Sequence, residues 1–214
     1  GKDCAWALHI LGRQGDVEIT GLLTTFNKEN RRSSMHGVHE ELIQAQADAA
    51  GLPLIRIYLP DPCSHEEYEM LMMQAMENTR NQGVHTIAFG DLFLEDVRKY
   101  REEKLAGVGM QAIFPLWNKK TPQLAREMVS GGLRAYLTSI DTRQLDASFA
   151  GRIYDYQLLQ DLPADVDPCG ENGEFHTCVF QCPAFSKSLN LKTGKTVTFR
   201  EFVYVDVVKD NSPM

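Results

Sequence analysis

Apolar positions along this chain recur at two spacings, and the alternation between them sets the expected architecture. Cys4, Ala7, Leu8 and Leu11 lie at helical spacing, so a helix is expected from about Asp3 to Gly12 or Gly15. Val17 to Phe26 follows, rich in β-branched residues and long enough for a central strand. Asn27 to Ser34 is polar and charged, a loop at the carboxyl end of that strand. Ser33 or Ser34 can cap a second helix, in which Val38, Leu42, Ala45 and Ala49 share one face, and Gly51 then Pro53 end it. Leu54–Leu59 reads as a strand. Ser64-His65-Glu66-Glu67 is a capping box for a third helix, which carries Tyr68, Leu71, Met72, Ala75 and Thr79 on one stripe. Thr86 to Phe89 is a short apolar strand running into Gly90-Asp91. A helix over about Glu95 to Ala106, a strand over Gly109 to Phe114, and a helix opened by Thr121-Pro122 continue the pattern.

Strands alternating with helices imply a parallel sheet with right-handed crossovers, and ligands in such sheets sit beyond the carboxyl ends of the strands. Gly1–Asp3, the loop after Phe26 and Gly90-Asp91 all fall at that edge. After Ser130-Gly131-Gly132 the texture changes. Leu133–Thr138 is strand-like and Tyr154 to Gln160 helical, and Leu162 to Thr177 is dominated by Pro, Asp, Gly and Glu. Cys178–Phe180, Lys195–Phe199 and Phe202–Val208 read as further strands, with Thr193-Gly194 as a candidate turn among them. Residues 1–131 and 132–214 are the expected divisions, the second a smaller α+β portion on the substrate side.

Composition narrows the function classes. With 43% hydrophobic and 24% charged residues in 214, the chain can bury a core. A net charge of −7 argues against a broad nucleic-acid surface, and no apolar run approaches the roughly 20 residues that cross a bilayer. The five cysteines are odd in number and widely separated, which favours reduced thiols in a cytoplasmic protein. Cys169, His176, Cys178 and Cys182 lie near one another, but their spacing fits no paired zinc-ligand pattern.

The candidate chemistry begins at the opening turn. A glycine ahead of a helix N-terminus lets the backbone approach a ligand, the helix end favours an anion, and Lys2 adds a positive charge. Gly1-Lys2-Asp3-Cys4 resembles the end of the Ser-Gly-Gly-Lys-Asp-Ser/Cys loop of the N-type ATP pyrophosphatases. Across the chain, Ser34-Met35-His36, Gly90-Asp91-Leu92, Arg101-Glu102, Phe114-Pro115-Leu116-Trp117, Ser130-Gly131-Gly132 and Asp167-Pro168-Cys169-Gly170-Glu171-Asn172-Gly173-Glu174-Phe175-His176-Thr177 are similar to the diphthine–ammonia ligase branch of that superfamily. The resemblance implies a Rossmann-like parallel sheet sandwiched by helices, with a first strand and the start of the loop expected ahead of Gly1.

It also implies an ATP-dependent ligase. A substrate carboxylate is adenylated, pyrophosphate is released, and ammonia displaces AMP to leave an amide. The carboxylate implied is diphthine on elongation factor 2. By the same resemblance Gly1, Lys2, Asp3 and Cys4 hold the phosphates, Met35 and His36 lie near the adenine, and Gly90 and Asp91 complete the nucleotide site. Asp91 is the expected Mg²⁺ ligand, and Asp3 either caps the helix or holds the ion with Asp91. Lys2, Asp91, Glu171 and Glu174 are the catalytic candidates, with Glu171 or Glu174 orienting the incoming amine or accepting a proton as ammonia attacks. Arg101, Gly173, His176 and Thr177 are the substrate contacts, and Trp117 is expected to pack between the two portions. Two other readings stand beside this one: the same ATP chemistry on a small metabolite or tRNA, and a non-catalytic ATP-binding module. A homodimer is compatible with all three.

Overall fold

The computed structural model describes residues 1–34 and 36–212. Lys2–Gln14 forms α1, which buries Trp6, Ala7 and Leu11 and ends at Gly15 in the left-handed conformation (φ 71°). Leu22–Asn27 (β1), Glu40–Ala50 (α2) and Leu54–Leu59 (β2) follow, with β1 and β2 paired in parallel from Leu22 opposite Leu54 to Asn27 opposite Leu59. α3, His65–Asn81, opens on the expected capping box: the Glu67 N–H donates to Ser64 Oγ, and the Ser64 N–H to Glu67 Oε2, each at 3.1 Å. Thr86–Ala88 (β3), Glu95–Gly107 (α4) and Gln111–Ile113 (β4) repeat the unit, again with parallel strands.

α5, Thr121–Ser130, carries proline in its first turn and leads into Arg134–Asp141 (β5), Tyr156–Asp161 (α6), Phe175–Gln181 (β6), Leu191–Phe199 (β7) and Phe202–Lys209 (β8). The last four strands make one antiparallel sheet in the order β6-β5-β8-β7. The fold is therefore the expected α/β class: parallel strands flanked by helices, then an antiparallel sheet. The parallel part is built from two two-stranded pairs, β1-β2 and β3-β4, rather than one continuous ladder.

The largest core ties the first helix to the later sheet. Trp6 and Ala7 of α1 pack with Leu124 and Met128 of α5, Leu133, Leu137, Ile140 and Phe175. Val38 and Leu42 pack with Cys178, Leu191 and Val207, so α2 covers part of the antiparallel sheet. A smaller cluster of Met76, Leu105 and Met110 joins α3 to α4.

Four local expectations are corrected. Val17 to Gly21 stays outside β1, and Val17 is exposed. α2 begins at Glu40 behind His39, because Ser33 Oγ instead accepts the Val38 N–H at 3.2 Å within the preceding turn. Thr193-Gly194 lies inside β7, where the register slips between Thr193 and Thr196; an interior glycine marks a bulge here, and the chain reverses at Arg200-Glu201. Cys4 is exposed while Trp6 takes the buried position, so the inward stripe of the first helix keeps Ala7 and Leu11 but not Cys4.

Candidate functional site

Two regions distant in sequence meet at the start of α1. The Lys2 backbone N–H donates to Thr177 Oγ1 at 3.0 Å, across 175 residues. α1's opening turn also touches the turn after β3 so closely that a Cβ on Gly90 would lie 2.8 Å from both the Asp3 carbonyl carbon and the Cys4 nitrogen. Glycine at 90 is therefore required by contact between two backbones. On the other flank, a Cβ on Gly1 would lie 2.6 Å from His36 Nε2, and the His36 and His176 rings stand 4.8 Å apart between centroids. Met35, expected near the adenine, lies outside the described residues.

Lys2 is turned inward. Its side chain is 3% exposed, and Nζ donates to both Asp3 carboxylate oxygens at 2.9 Å and to the Cys169 carbonyl. The same ammonium sits over the rings of Tyr154 (5.7 Å) and Phe175 (5.4 Å). Burial pulls its pKa down, but Asp3, Cys169 and Glu171 more than offset that, and the net shift is upward. Lys2 thus ties the opening turn to the bend at Cys169.

The bend from Asp167 to Thr177 is organised by its own side chains. Asp167 Oδ1 accepts the Cys169 N–H at 3.3 Å and Oδ2 the Glu171 N–H at 2.9 Å. Glu174, 2% exposed, accepts through Oε1 from the Asp167 N–H and from Asn172 Nδ2, both at 3.0 Å. It faces into the bend and shapes it. Glu171 faces the other way: its Oε1 accepts the Leu92 N–H at 2.7 Å. Burial pushes its carboxyl up to about 7, against the pull of the Leu92 N–H, and Asp3 and Asp91 push in the same direction. Gly173 sits between the two carboxylates with φ 85°.

Asp91 and Arg101 are bound to each other. Arg101 Nη2 donates to Asp91 Oδ1 at 3.2 Å, and Nε lies 2.9 Å from Oδ2 as a charge contact off the hydrogen-bond direction. Among the described residues no three His, Cys, Asp or Glu side chains close in as an all-protein metal cage. Mg²⁺ rarely needs one, because it keeps waters and phosphate oxygens and takes one or two carboxylates. Asp3 and Asp91 offer such oxygens beside Gly90, each already paired with a cation, Lys2 and Arg101, with which Mg²⁺ would share the carboxylate.

Both imidazoles are held neutral. Burial keeps His36 well below its ordinary value, and burial with Lys2 nearby lowers His176 to about 4. Burial also raises the thiols of Cys169 and Cys178 to about 12, which leaves them unreactive packing groups. Residues missed by sequence reasoning include Asp167, whose place before Pro168-Cys169-Gly170 is an Asx-turn signal, and Tyr154, whose hydroxyl donates to the Pro168 carbonyl at 2.8 Å. Nothing local to Tyr154 announces that contact. Trp117 lies edge-on to Phe114, ring centroids 5.7 Å apart.

A turn that opens a helix beyond the carboxyl ends of parallel strands is where α/β proteins of this class bind their ligands. The diphthamide synthase N-terminal domain matches residues 1–112 and the diphthamide synthase C-terminal domain residues 120–212, and the chain belongs to that family. It is 26% identical over 188 residues to a diphthine–ammonia ligase of Danio rerio, covering 79% of this chain and 72% of that protein. The Homo sapiens diphthine–ammonia ligase is 26% identical over 178 residues, 75% of this chain and 66% of its own. The Schizosaccharomyces pombe protein of that name is 27% identical across 92% of this chain, which spans only 36% of it. Among the described residues no helix is long and apolar enough to cross a membrane.

Proposed function

We propose that this chain is an ATP-dependent ligase that adenylates a carboxylate and passes it to ammonia, with protein-bound diphthine on elongation factor 2 as the acceptor. The observation that carries the reading is the bond from the Lys2 N–H to Thr177, which brings the opening turn and the acidic bend to one place. Family membership and the names of the relatives support the ligase class.

In the first step an acceptor carboxylate oxygen bonds to the α-phosphorus of ATP, and the bond to the bridging oxygen breaks to release pyrophosphate. The first-turn N–H groups of α1 stabilise the departing negative charge. Asp3 and Asp91 would hold Mg²⁺, which when bound neutralises phosphate oxygens. Lys2 keeps Asp3 and the Cys169 turn in register beneath that site. In the second step ammonia nitrogen bonds to the acyl carbon and AMP leaves. Glu171 accepts the proton that nitrogen loses, and the Leu92 N–H holds the carboxylate that does so. Glu174, closed into the bend, positions Glu171 through Asp167 and takes no proton.

The test is pyrophosphate release from ATP by the intact chain, with diphthine-form elongation factor 2 and ammonium supplied. Release should require the acceptor, and amide formation in Glu171→Gln should fall by about 10²–10⁴-fold with ATP binding kept. Release that ignores every carboxylate offered would defeat the ligase reading.

A further inference from the structure

At the same edge stands a set of side chains with no part in the steps above. Phe89 and Phe114 each follow the last residue of a parallel strand, β3 and β4, with their rings stacked 5.6 Å apart. Trp117 meets Phe114 edge-on. Two arginines of α4 lie on these faces. Arg98 is over Phe114 (5.0 Å) and Trp117 (4.7 Å), and Arg101 is over Phe89 (4.3 Å). The set is anchored to the candidate site through Leu92. Its carbonyl accepts the Asn118 N–H at 2.8 Å, one residue past Trp117, while its own N–H holds Glu171.

The two guanidinium groups differ in what holds them. Arg101 pairs through two nitrogens with Asp91, whose side chain is only 15% exposed. Breaking that pair would strand a partly buried charge. Among the described residues the Arg98 guanidinium has one polar partner, Nε to Glu102 Oε1 at 2.7 Å, on its own helix and with the two side chains 36% and 45% exposed. Such an exposed i,i+4 pair is weak, so an incoming carboxylate can replace Glu102 at little cost. A guanidinium held over aromatic rings can still present two N–H groups for parallel hydrogen bonds to a carboxylate.

We propose that Arg98 on the Phe114–Trp117 wall is the entry subsite for the acceptor. The arginine pairs with the acceptor's carboxylate in exchange for Glu102, and the wall packs against the stem that carries it. This rests on the ligase reading above. Arg98 binds and orients; it takes no proton.

The experiment is steady-state pyrophosphate release by the full chain with ATP and ammonium fixed and diphthine-form elongation factor 2 varied. Arg98→Ala should raise KM for the acceptor about 10- to 100-fold and leave KM for ATP unchanged. Arg98→Lys, which keeps the charge without the fork or the stacking, should recover only part of that loss. Glu102→Gln should move the other way and lower the acceptor KM about twofold, which loss of a merely structural helix pair would not do. An unchanged acceptor KM in Arg98→Ala overturns the subsite alone, as does an equal rise in KM for ATP. Failure of the unmodified chain to release pyrophosphate with any acceptor overturns the ligase reading, and the subsite with it.

Discussion

The loop after β1, Asn27 to His39, and the bend from Asp167 to Thr177 are alike in composition: both are polar, charged and glycine-containing. Both are also shaped by side chains bonding to nearby backbone. Asn27 Oδ1 accepts the N–H groups of Glu29 and Asn30, as Asp167 accepts those of Cys169 and Glu171. They differ in access to water. In the first loop the charges reach outward and pair near the surface, Arg31 with Glu40 and Arg32 with Asp206. In the bend Glu174 is buried and Glu171 half-buried, close to the enclosed ammonium of Lys2. The same residue types therefore give a solvated ion-pair network in one place and a perturbed acid in the other. Water exclusion separates them, because burial disfavours the charged form and drives the Glu171 carboxyl upward.

Removing the buried carboxylate tests the contrast hardest. Glu174→Ala deprives the Asp167 N–H and the Asn172 amide of their acceptor, so it should destabilise the chain by about 3 kcal/mol. A urea titration measures this, and an unshifted midpoint would put the two regions on equal terms. A smaller, pH-dependent effect follows from Glu171. Its folded value of about 7 lies above the ordinary 4.5, so the folded chain holds this proton more tightly than the unfolded one. The stability it adds is full below about 4.5 and is lost as pH rises through about 7. The lowered His36 and His176 act in the opposite sense, adding stability as pH rises. The diagnostic quantity is thus stability of the unmodified chain minus that of Glu171→Gln, which should fall between those pH limits. A difference independent of pH would remove Glu171 from its special standing. Smallest of all should be Asp206→Asn in the outer network, costing about 1 kcal/mol or less in the same titration. A larger loss would mean that the first loop's charges matter as much as the bend's.

Much of the chain's local structure was legible because its causes are local. The Ser64–Glu67 box, the Leu54–Leu59 strand and the helix from Glu95 follow from neighbours within one turn or one alternation. Where the reading slipped, a longer-range demand prevailed. Ser33 caps a turn instead of α2, Gly194 relieves a bulge opposite β8, and Trp6 displaces Cys4 from the core. The candidate site divides in the same way. Gly1, Gly90, Asp91, Glu171 and Thr177 were named from the chain and do come together, whereas Arg98 gave no sign beyond a charged position on a solvated helix.

By itself the order of residues determined the alternation of strands and helices, the polar turns at their ends and the types of chemical group available there. Tertiary structure alone decided which of two carboxylates three residues apart faces the shared edge and which closes into its own bend. It also turned Lys2 inward and bound Arg101 to Asp91 while leaving Arg98 an exchangeable partner. The physical reason is that propensity and capping act within a few residues, whereas desolvation and charge pairing depend on which distant segments exclude water from a group.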